Sequence, residues 1–280
     1  MRTPCLVLCL LASCSGGGGG TPIPSVNVPA ELVVCRSERD SPGQGTLRTA
    51  TRRGLADKRL ADAAGVESDV RIHPDGIRIV FARERRGNDA DSREIFTGTV
   101  DGSALERRLT TNDDRDDSPC WNSDGTKILF SSNRGGRRRI WSMALDGTDA
   151  DPLFDDGSEQ TDPDARGGLV VFSRWDLLDP TPRRTLWMFD EVALTAWPVT
   201  DGGVGTSSDV PGDKDPAFSP DGAVVLFTRS TSDDAHRLMK LTVASGIVEP
   251  VGGADGDDRW PRWSPHGDSI FVARSRPDAG

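Results

Sequence analysis

Several residue types and sequence motifs are absent or scarce in this chain of 280 residues. Tyrosine does not occur, histidine occurs three times, and three of the five cysteines lie within the first fourteen positions. There is no Gly-x-Ser-x-Gly, His-Glu-x-x-His, Cys-x-x-Cys, Gly-x-x-x-x-Gly-Lys or Gly-x-Gly-x-x-Gly motif. The usual signatures of α/β hydrolases, zinc proteases, dithiol redox proteins, P-loop enzymes and dinucleotide-binding enzymes are therefore missing. The sequence predicts no catalytic residue and no cofactor.

Long apolar runs and an excess of positive charge are also lacking. After the N-terminal segment, no stretch approaches the roughly 18 apolar residues of a membrane-spanning helix. Lys and Arg total 34 against 44 Asp and Glu, which gives a formal net charge of −10. Because an acidic protein repels phosphate backbones and anionic lipids, nucleic acid is not expected as a partner.

The chain does contain a repeat. A short apolar strand pattern recurs six times, and its opening residues are spaced by 42 to 55 residues: Ala30, Gly76, Gly125, Gly167, Gly222 and Gly267. The fifth residue after each opening is apolar: Cys35, Phe81, Phe130, Phe172, Phe227 and Val272. A period of about 40 to 50 residues is typical of four-stranded propeller blades. One buried side-chain position is thus expected in every blade.

The copy that starts at Asp117 shows the pattern of one blade most clearly. Asp124-Gly125 is a strong hairpin signal, because glycine accepts positive φ and aspartate bonds its own following backbone. The run Ile128-Leu129-Phe130 is continuously apolar, as expected for a strand that is covered on both faces. A preceding strand of the Pro-x-Trp kind is predicted five times, at about 69–73, 117–121, 161–165, 215–219 and 260–264.

The repeats resemble those of a known family. Pro261-Arg262-Trp263-Ser264-Pro265-His266-Gly267 and the text at 216–222 are similar to the Pro-x-Trp-Ser-Pro-Asp-Gly repeat of TolB-type propellers, relatives of the WD repeat. The resemblance covers roughly residues 30 to 275. It implies an all-β propeller of four-stranded antiparallel blades that docks to other envelope proteins. The segment before Leu32 is too short for the α/β domain that precedes the propeller in TolB, so the propeller part alone is expected.

The number of blades is left open by the sequence. Apolar second strands number six, whereas first and third strands number five each, and the last blade lacks its outer pair. Six blades are favoured, the last one incomplete, with Val26-Asn27-Val28 as a candidate inner strand for the first. In the alternative, the strands at 32–36 and 46–51 complete the C-terminal blade and five blades close.

The first thirty residues are predicted to be a targeting and tether segment. Arg2 precedes the apolar stretch from Cys5 to Ala12, and Leu11-Ala12-Ser13-Cys14 fits the lipoprotein cleavage box. Residues 1–13 are therefore expected to be a signal peptide and Cys14 to be lipidated, with an ordinary signal peptide as the alternative. The glycine-rich residues 14–29 would form a flexible tether to a propeller at 30–280. Ser15 after Cys14 favours the outer membrane.

The remaining cysteines and the acidic loops each have a functional and a purely structural interpretation. Cys35 and Cys120 are expected on different blades, so two buried thiols are favoured over a disulfide. Acidic loops at 113–117, 146–156 and 252–258 could supply oxygen ligands to calcium. Since none has the spaced Asp-x-Asp-x-Asp-Gly pattern and aspartate is a common turn residue, no metal site is predicted.

Carboxylates precede four of the predicted inner strands, at Asp69, Asp117, Asp162 and Asp215. Inner strands line the central channel of a propeller, so these residues are candidates for a binding ring at one channel mouth. The alternative is that each caps the loop that enters its strand.

The favoured function is a non-catalytic, lipid-anchored propeller that binds a protein or peptide in the bacterial cell envelope, as a monomer that faces the periplasm or the cell surface. The alternative is a propeller hydrolase or lyase that acts on carbohydrate or peptide through loop carboxylates. A degenerate duplicate without a ligand is the third possibility. The connections at 174–184 and 201–213 are candidate partner contacts.

Overall fold

The computed structural model describes residues 6–10, 31–37, 45–51, 58–59, 67–84, 92–103, 106–202, 211–231, 235–252, 257–264 and 266–275. For the first four of these segments it describes the backbone. All regular structure in this part of the chain is β-strand, and no helix in it could span a membrane.

The strands form six antiparallel sheets, named A to F in chain order. Sheet A holds β1 (Leu6–Leu10), β2 (Glu31–Ser37), β3 (Gly45–Thr51) and β4 (Lys58–Arg59). Blade B holds β5 (Glu67–Ile72), β6 (Arg78–Glu84), β7 (Arg93–Thr99) and β8 (Arg107–Arg108). Blade C holds β9 (Asp116–Trp121), β10 (Lys127–Ser132), β11 (Arg139–Ala144) and β12 (Asp151–Pro152).

Blade D holds β13 (Glu159–Arg166), β14 (Leu169–Trp175), β15 (Thr185–Asp190) and β16 (Thr195–Pro198). Blade E holds β17 (Asp213–Phe218), β18 (Val224–Ser230), β19 (His236–Thr242) and β20 (Ile247–Pro250). Sheet F has two strands, β21 (Asp257–Trp263) and β22 (Ile270–Ser275). Strands adjacent in sequence are adjacent in each sheet, which is the up-and-down order of a propeller blade.

Four complete blades, B to E, are described with their side chains, whereas the sequence analysis favoured six blades and gave five as the alternative. Sheet A is described as backbone, and its inner strand β1 falls inside the predicted signal peptide. Residues 26–28, the predicted candidate for that position, lie outside the described residues, as do Cys14 and the tether. Among the described residues, β21 of sheet F pairs with β22 alone.

The core lies between neighbouring blades and combines the second strands with apolar residues of the first and third strands. Phe81, Phe130, Phe172 and Phe227, the predicted repeated position, are at most 1% exposed. Within β10, Ile128 and Phe130 pack toward blade B, whereas Leu129 packs toward blade D with Phe172. The continuous apolar run is thus explained, because alternate side chains of one strand fill two different interfaces.

The Asp-Gly turns between first and second strands also join the blades. Gly125 has a φ of 75°, which an L side chain rarely adopts, and a Cβ there would lie 2.5 Å from His73 Nε2. His73, in the equivalent turn of blade B, forms a 2.9 Å hydrogen bond to the Gly125 carbonyl oxygen. These turns therefore pack against one another at one end of the channel.

Candidate functional site

Each inner strand of blades B to E and of sheet F contains a β-bulge at the same point. One residue of each bulge has a left-handed backbone, with φ between 50° and 56° although none of the five is glycine: Asp69, Ser118, Asp162, Asp215 and Trp260. Bulges re-aim the side chains of a strand, and aspartate tolerates this backbone better than most residues. Backbone geometry thus accounts for aspartate in three of the five strands.

Three of the four predicted ring residues occupy this bulge position, and Asp117 does not. The equivalent residue in blade C is Ser118, whose hydroxyl donates to Asp162 Oδ1 at 3.1 Å. Asp117 is buried one residue earlier, where Arg115 Nε donates to its Oδ2 at 2.5 Å and Arg138 donates to its Oδ1. Asp117 therefore has the environment of a structural ion pair, and a binding role for the other three stays a prediction.

The three bulge aspartates interact electrostatically across the channel. Burial is the largest cause that raises the pKa of Asp215 to about 6; the nearby carboxylates of Asp162 and Asp69 contribute to the rise, and Arg262 opposes it. The Thr228 hydroxyl donates to Asp215 Oδ2 at 3.1 Å. Negative charge on Asp215 is thus costly, and this carboxyl keeps its proton to a higher pH than an ordinary aspartate does.

We expect the variant Asp215→Asn to be more stable than the parent chain near pH 7.5 and equally stable near pH 3. The pKa of Asp215 is about 6 in the fold against an ordinary value of 3.8, so the folded state binds the proton more tightly. The ionised carboxylate destabilises the fold above pH 6, and this cost disappears as the pH falls toward 3.8. The gain near pH 7.5 should be about 2 to 3 kcal/mol in urea unfolding. An equal gain at both pH values would contradict the assignment.

A second layer of side chains faces the channel two residues after the bulges, because alternate residues of a strand share a face. It consists of Arg71, Cys120, Asp164, Ala217 and Arg262. Together with the hairpin turns that follow, these residues line a cavity of about 270 Å³, here called the channel cavity. The bulge aspartates are not among its lining residues, so the predicted ring and the cavity occupy different levels of the channel.

The walls of the channel cavity are aromatic and their positions are held by hydrogen bonds. Trp121 Nε1 donates to the Arg71 carbonyl oxygen at 3.4 Å, and Trp263 Nε1 donates to the Ala217 carbonyl oxygen at 3.2 Å. Each indole therefore reaches from its own blade to the inner strand of the preceding one. His73 packs edge-on against Trp121, with ring centroids 4.6 Å apart. The cavity combines apolar walls with a charged base, as ligand pockets commonly do.

The base of the cavity holds one acid and one thiol. Asp164 Oδ2 accepts the Phe218 backbone N–H at 2.7 Å; burial raises the pKa of Asp164, although Arg71 and Arg262 oppose this. Cys120 is a free, buried thiol. Burial raises the pKa of Cys120 well above its ordinary value, and Asp164 adds to the shift. The thiol is consequently held neutral, which disfavours a nucleophilic role.

Comparison with known proteins identifies the family of this propeller. The family model of the TolB beta propeller domain matches residues 46–267, most of the chain. This protein belongs to the TolB beta propeller family. Among curated proteins, "Uncharacterized protein Atu1656" of Agrobacterium fabrum is 30% identical over 142 residues, which cover 49% of this chain and 47% of that protein. The chain thus spans about half the length of this curated relative.

Solved structures of this fold include proteins with different activities. TolB from Acinetobacter baumannii has a TM-score of 0.65 at 14% identity, with 93% of this chain and 66% of that chain covered. An oligogalacturonate lyase in complex with manganese has a TM-score of 0.60 at 14% identity, with 88% and 74% covered. At these identities the likeness shows the propeller fold alone, and both a TolB and a lyase share it.

The TolB-type repeat explains why the second layer was missed in the sequence analysis. A proline follows four of the five bulge residues and drew attention to the aspartates near it, whereas the channel-facing residue at the next position varies from arginine to alanine. The second layer can be found in the sequence by taking the residue two positions after the bulge in each inner strand. This rule gives Arg71, Cys120, Asp164, Ala217 and Arg262. Among the described residues, no group of three or more His, Cys, Asp or Glu could hold a metal ion.

Proposed function

We propose that this TolB-type propeller is a non-catalytic binding protein of the bacterial cell envelope, tethered to a membrane through a lipidated Cys14, that takes a protein or peptide segment at the channel cavity. The observation that carries the proposal is the cavity itself, which joins five inner strands and has aromatic walls and a charged base. Its thiol, Cys120, is held neutral, so the site favours recognition over nucleophilic chemistry.

The finer architecture belongs to the same proposal. We take sheets A to F as six positions of one monomeric ring, because β1 lies beside β21 and β22 while β2 and β3 lie beside β5. Cleavage after Ser13 would remove β1, and residues 26–28 of the tether would then supply the inner strand of sheet A. The outer membrane, with the propeller facing the periplasm or the cell surface, is the proposed location.

Capture from detergent-solubilised envelopes tests the binding role. Ser123, at the rim of the channel cavity, can be replaced by tryptophan, and Val192, which is 88% exposed on an outer turn of blade D, provides the matched control. Ser123→Trp should reduce the retained partner by about tenfold or more, and Val192→Trp should retain it as the parent chain does. No stoichiometric partner on the parent chain, or full retention by Ser123→Trp, would count against the proposal.

The anchor has its own test. Cells that express the chain and grow on labelled palmitate should incorporate the label, and Cys14→Ser should abolish labelling and release the protein from the membrane fraction. Two or more acyl chains hold a protein on a bilayer where one chain does so weakly, so the shift between fractions should be nearly complete. Persistent labelling of Cys14→Ser would refute lipidation at Cys14.

A hydrolase or lyase on carbohydrate or peptide is the second candidate function, and one observation favours it. A carboxyl with a pKa of about 6 beside a second carboxylate, as at Asp215 and Asp162, is the pairing that general acid–base catalysis uses. Turnover of a pectic oligosaccharide or a peptide that Asp215→Asn abolishes would favour this function. Absence of turnover across both substrate classes would leave the binding role preferred.

A further inference from the structure

We propose that the groove between blades D and E, here called the D–E groove, binds an aromatic side chain of a partner polypeptide. The groove has a volume of about 770 Å³, and six of its lining residues carry the inference: Met188, Trp197, Val199, Thr200, Arg229 and Met239. It shares no lining residue with the channel cavity. The site is therefore additional to the one proposed above, and its test does not depend on that binding role.

Three of the four complete blades place an aromatic ring where blade E has methionine. In each blade one residue of the third strand pairs directly with the repeated phenylalanine of the second strand, and these residues are Phe96, Trp141, Trp187 and Met239. Each of the three rings lies under a guanidinium group, at 4.6, 5.0 and 4.3 Å from guanidinium carbon to ring centroid, in the pairs formed by Arg83, Arg134 and Arg174. Blade E alone among these four lacks such a ring.

Blade E nevertheless keeps the arginine of this arrangement. Arg229 follows Phe227 by two residues, the spacing that Arg174 has in blade D, and it lines the D–E groove. Its N–H groups donate to carboxylates, chiefly that of Asp213, but such bonds lie in the plane of the guanidinium group and do not use its faces. Arg174 shows that both contacts are compatible, because it bonds a carboxylate and stacks on Trp187. The ion pair of Arg229 therefore does not prevent it from stacking on a ring.

The facing wall, from blade D, is also built from smaller residues than its counterpart in blade C. In blade C, Leu153 and Phe154 follow the outer strand, and the ring of Phe154 stacks on Phe189 of the next blade with centroids 5.1 Å apart. The same backbone hydrogen bond to the third strand identifies Val199 and Thr200 as the equivalent residues of blade D. Because protein interiors are close-packed, smaller residues on both walls leave space for a side chain from outside.

The chemistry of the D–E groove favours an aromatic occupant over an aliphatic one. Its walls are apolar at Met188, Met239 and Trp197, and Trp197 is 40% exposed at the groove. The positive guanidinium group of Arg229 is complementary to the negative face of an aromatic ring. A volume of about 770 Å³ lies within the range of ligand pockets and accommodates the backbone that carries the ring as well. Aromatic anchors of this kind are common in protein interfaces.

The methionines of the chain provide a direct readout of the site by NMR. Met188 and Met239 line the D–E groove, whereas Met143 is buried between blades B and C. In the full chain labelled at its methionine methyl groups, N-acetyl-tryptophanamide should shift the signals of Met188 and Met239 through its ring current and leave that of Met143 unchanged. N-acetyl-leucinamide should bind about fivefold or more weakly, because it cannot stack on Arg229.

A variant that fills the groove from within guards against loss of fold. Met239→Trp installs the ring that blades C and D already carry at this position, so it should unfold at the same or a higher urea concentration and weaken the tryptophan probe, followed at Met188, by about tenfold or more. Met239→Leu keeps an apolar wall and should bind as the parent chain does. Unshifted Met188 and Met239 signals, equal binding of the two amides, or undiminished binding by a folded Met239→Trp would each overturn the aromatic site. If the site is upheld while envelope capture at the channel cavity fails, the role proposed for that cavity alone is lost.

Discussion

Arg83→Met is expected to lower the free energy of unfolding by about 3 to 5 kcal/mol. Arg83 Nε and Nη2 donate to Glu67 Oε1 at 3.1 and 2.9 Å, and Nη2 also donates to Glu106 Oε1 at 2.8 Å. Glu67 is only 2% exposed, so the variant removes two charge-assisted hydrogen bonds from a buried carboxylate. The guanidinium group also lies over the ring of Phe96, 4.6 Å from its centroid, and this contact is lost as well.

The same pair recurs around the ring, which supplies a matched control. Arg134 pairs with buried Asp116 in blade C, and Arg229 pairs with buried Asp213 in blade E. In blade D the acid is replaced by Gln160, and Arg174 bonds instead to the more exposed Asp156. Arg174→Met should therefore cost about 1 kcal/mol, although its guanidinium likewise stacks on an aromatic ring, that of Trp187.

Urea unfolding of the two variants separates these effects. A loss at Arg174 as large as that at Arg83 would show that ring stacking, rather than the buried ion pair, stabilises the blades. Replacing Glu67 by methionine in the Arg83→Met background should recover much of the loss, because no buried charge then lacks a partner.

The scaffold could be predicted from the sequence because its signals are local. The Asp-Gly turns and the apolar second strands predict hairpins from a few adjacent residues, and the structure confirms both around Gly125 and Phe130. Strand boundaries fall within two or three residues of the prediction for the five inner strands. The TolB-type repeat therefore specifies each blade through short-range turn chemistry and alternate packing.

The site was less predictable because its residues meet only in three dimensions. Asp117 was grouped with Asp162 and Asp215 by its place near a proline, but the bulge lies at Ser118, the residue directly before Pro119. Arg71 and Asp164 lie on different blades and are 93 positions apart, so no spacing rule connects them. The arginines of the acid–arginine pairs follow a rule that can be seen in the sequence. In blades B, D and E an arginine lies two residues after the core phenylalanine.

The number of blades depends on the two ends of the chain. At these ends the repeat pattern is least complete, so the sequence predicts the strands there less well. Sheets A and F meet through β1 and β22, which are separated by nearly the whole sequence. Local propensity does not predict pairing between strands so far apart in the sequence, because such pairing depends on tertiary contacts and on closure of a long loop.

Phe130→Ala should destabilise the propeller by about 3 to 5 kcal/mol, because it empties a fully buried position between two blades. Phe130 is 0% exposed and packs with Val80, Ile95 and Met143 across the interface of blades B and C. Rigid strands on both sides limit collapse of the cavity, so the cost should lie near the upper end. Arg134, whose guanidinium lies 4.9 Å from the Phe130 ring centroid, would lose that contact too.

Phe96→Ala is the matched control for this deletion, since it removes the same side chain from a half-buried position on β7. Phe96 stacks on Phe81 with ring centroids 5.8 Å apart, and solvent can fill the space that it vacates. We expect it to cost less than half as much as Phe130→Ala, as measured by urea unfolding of both variants. If the two losses are equal, the repeated phenylalanine is not the side chain that holds neighbouring blades together, and the stability of the ring must come chiefly from the acid–arginine pairs.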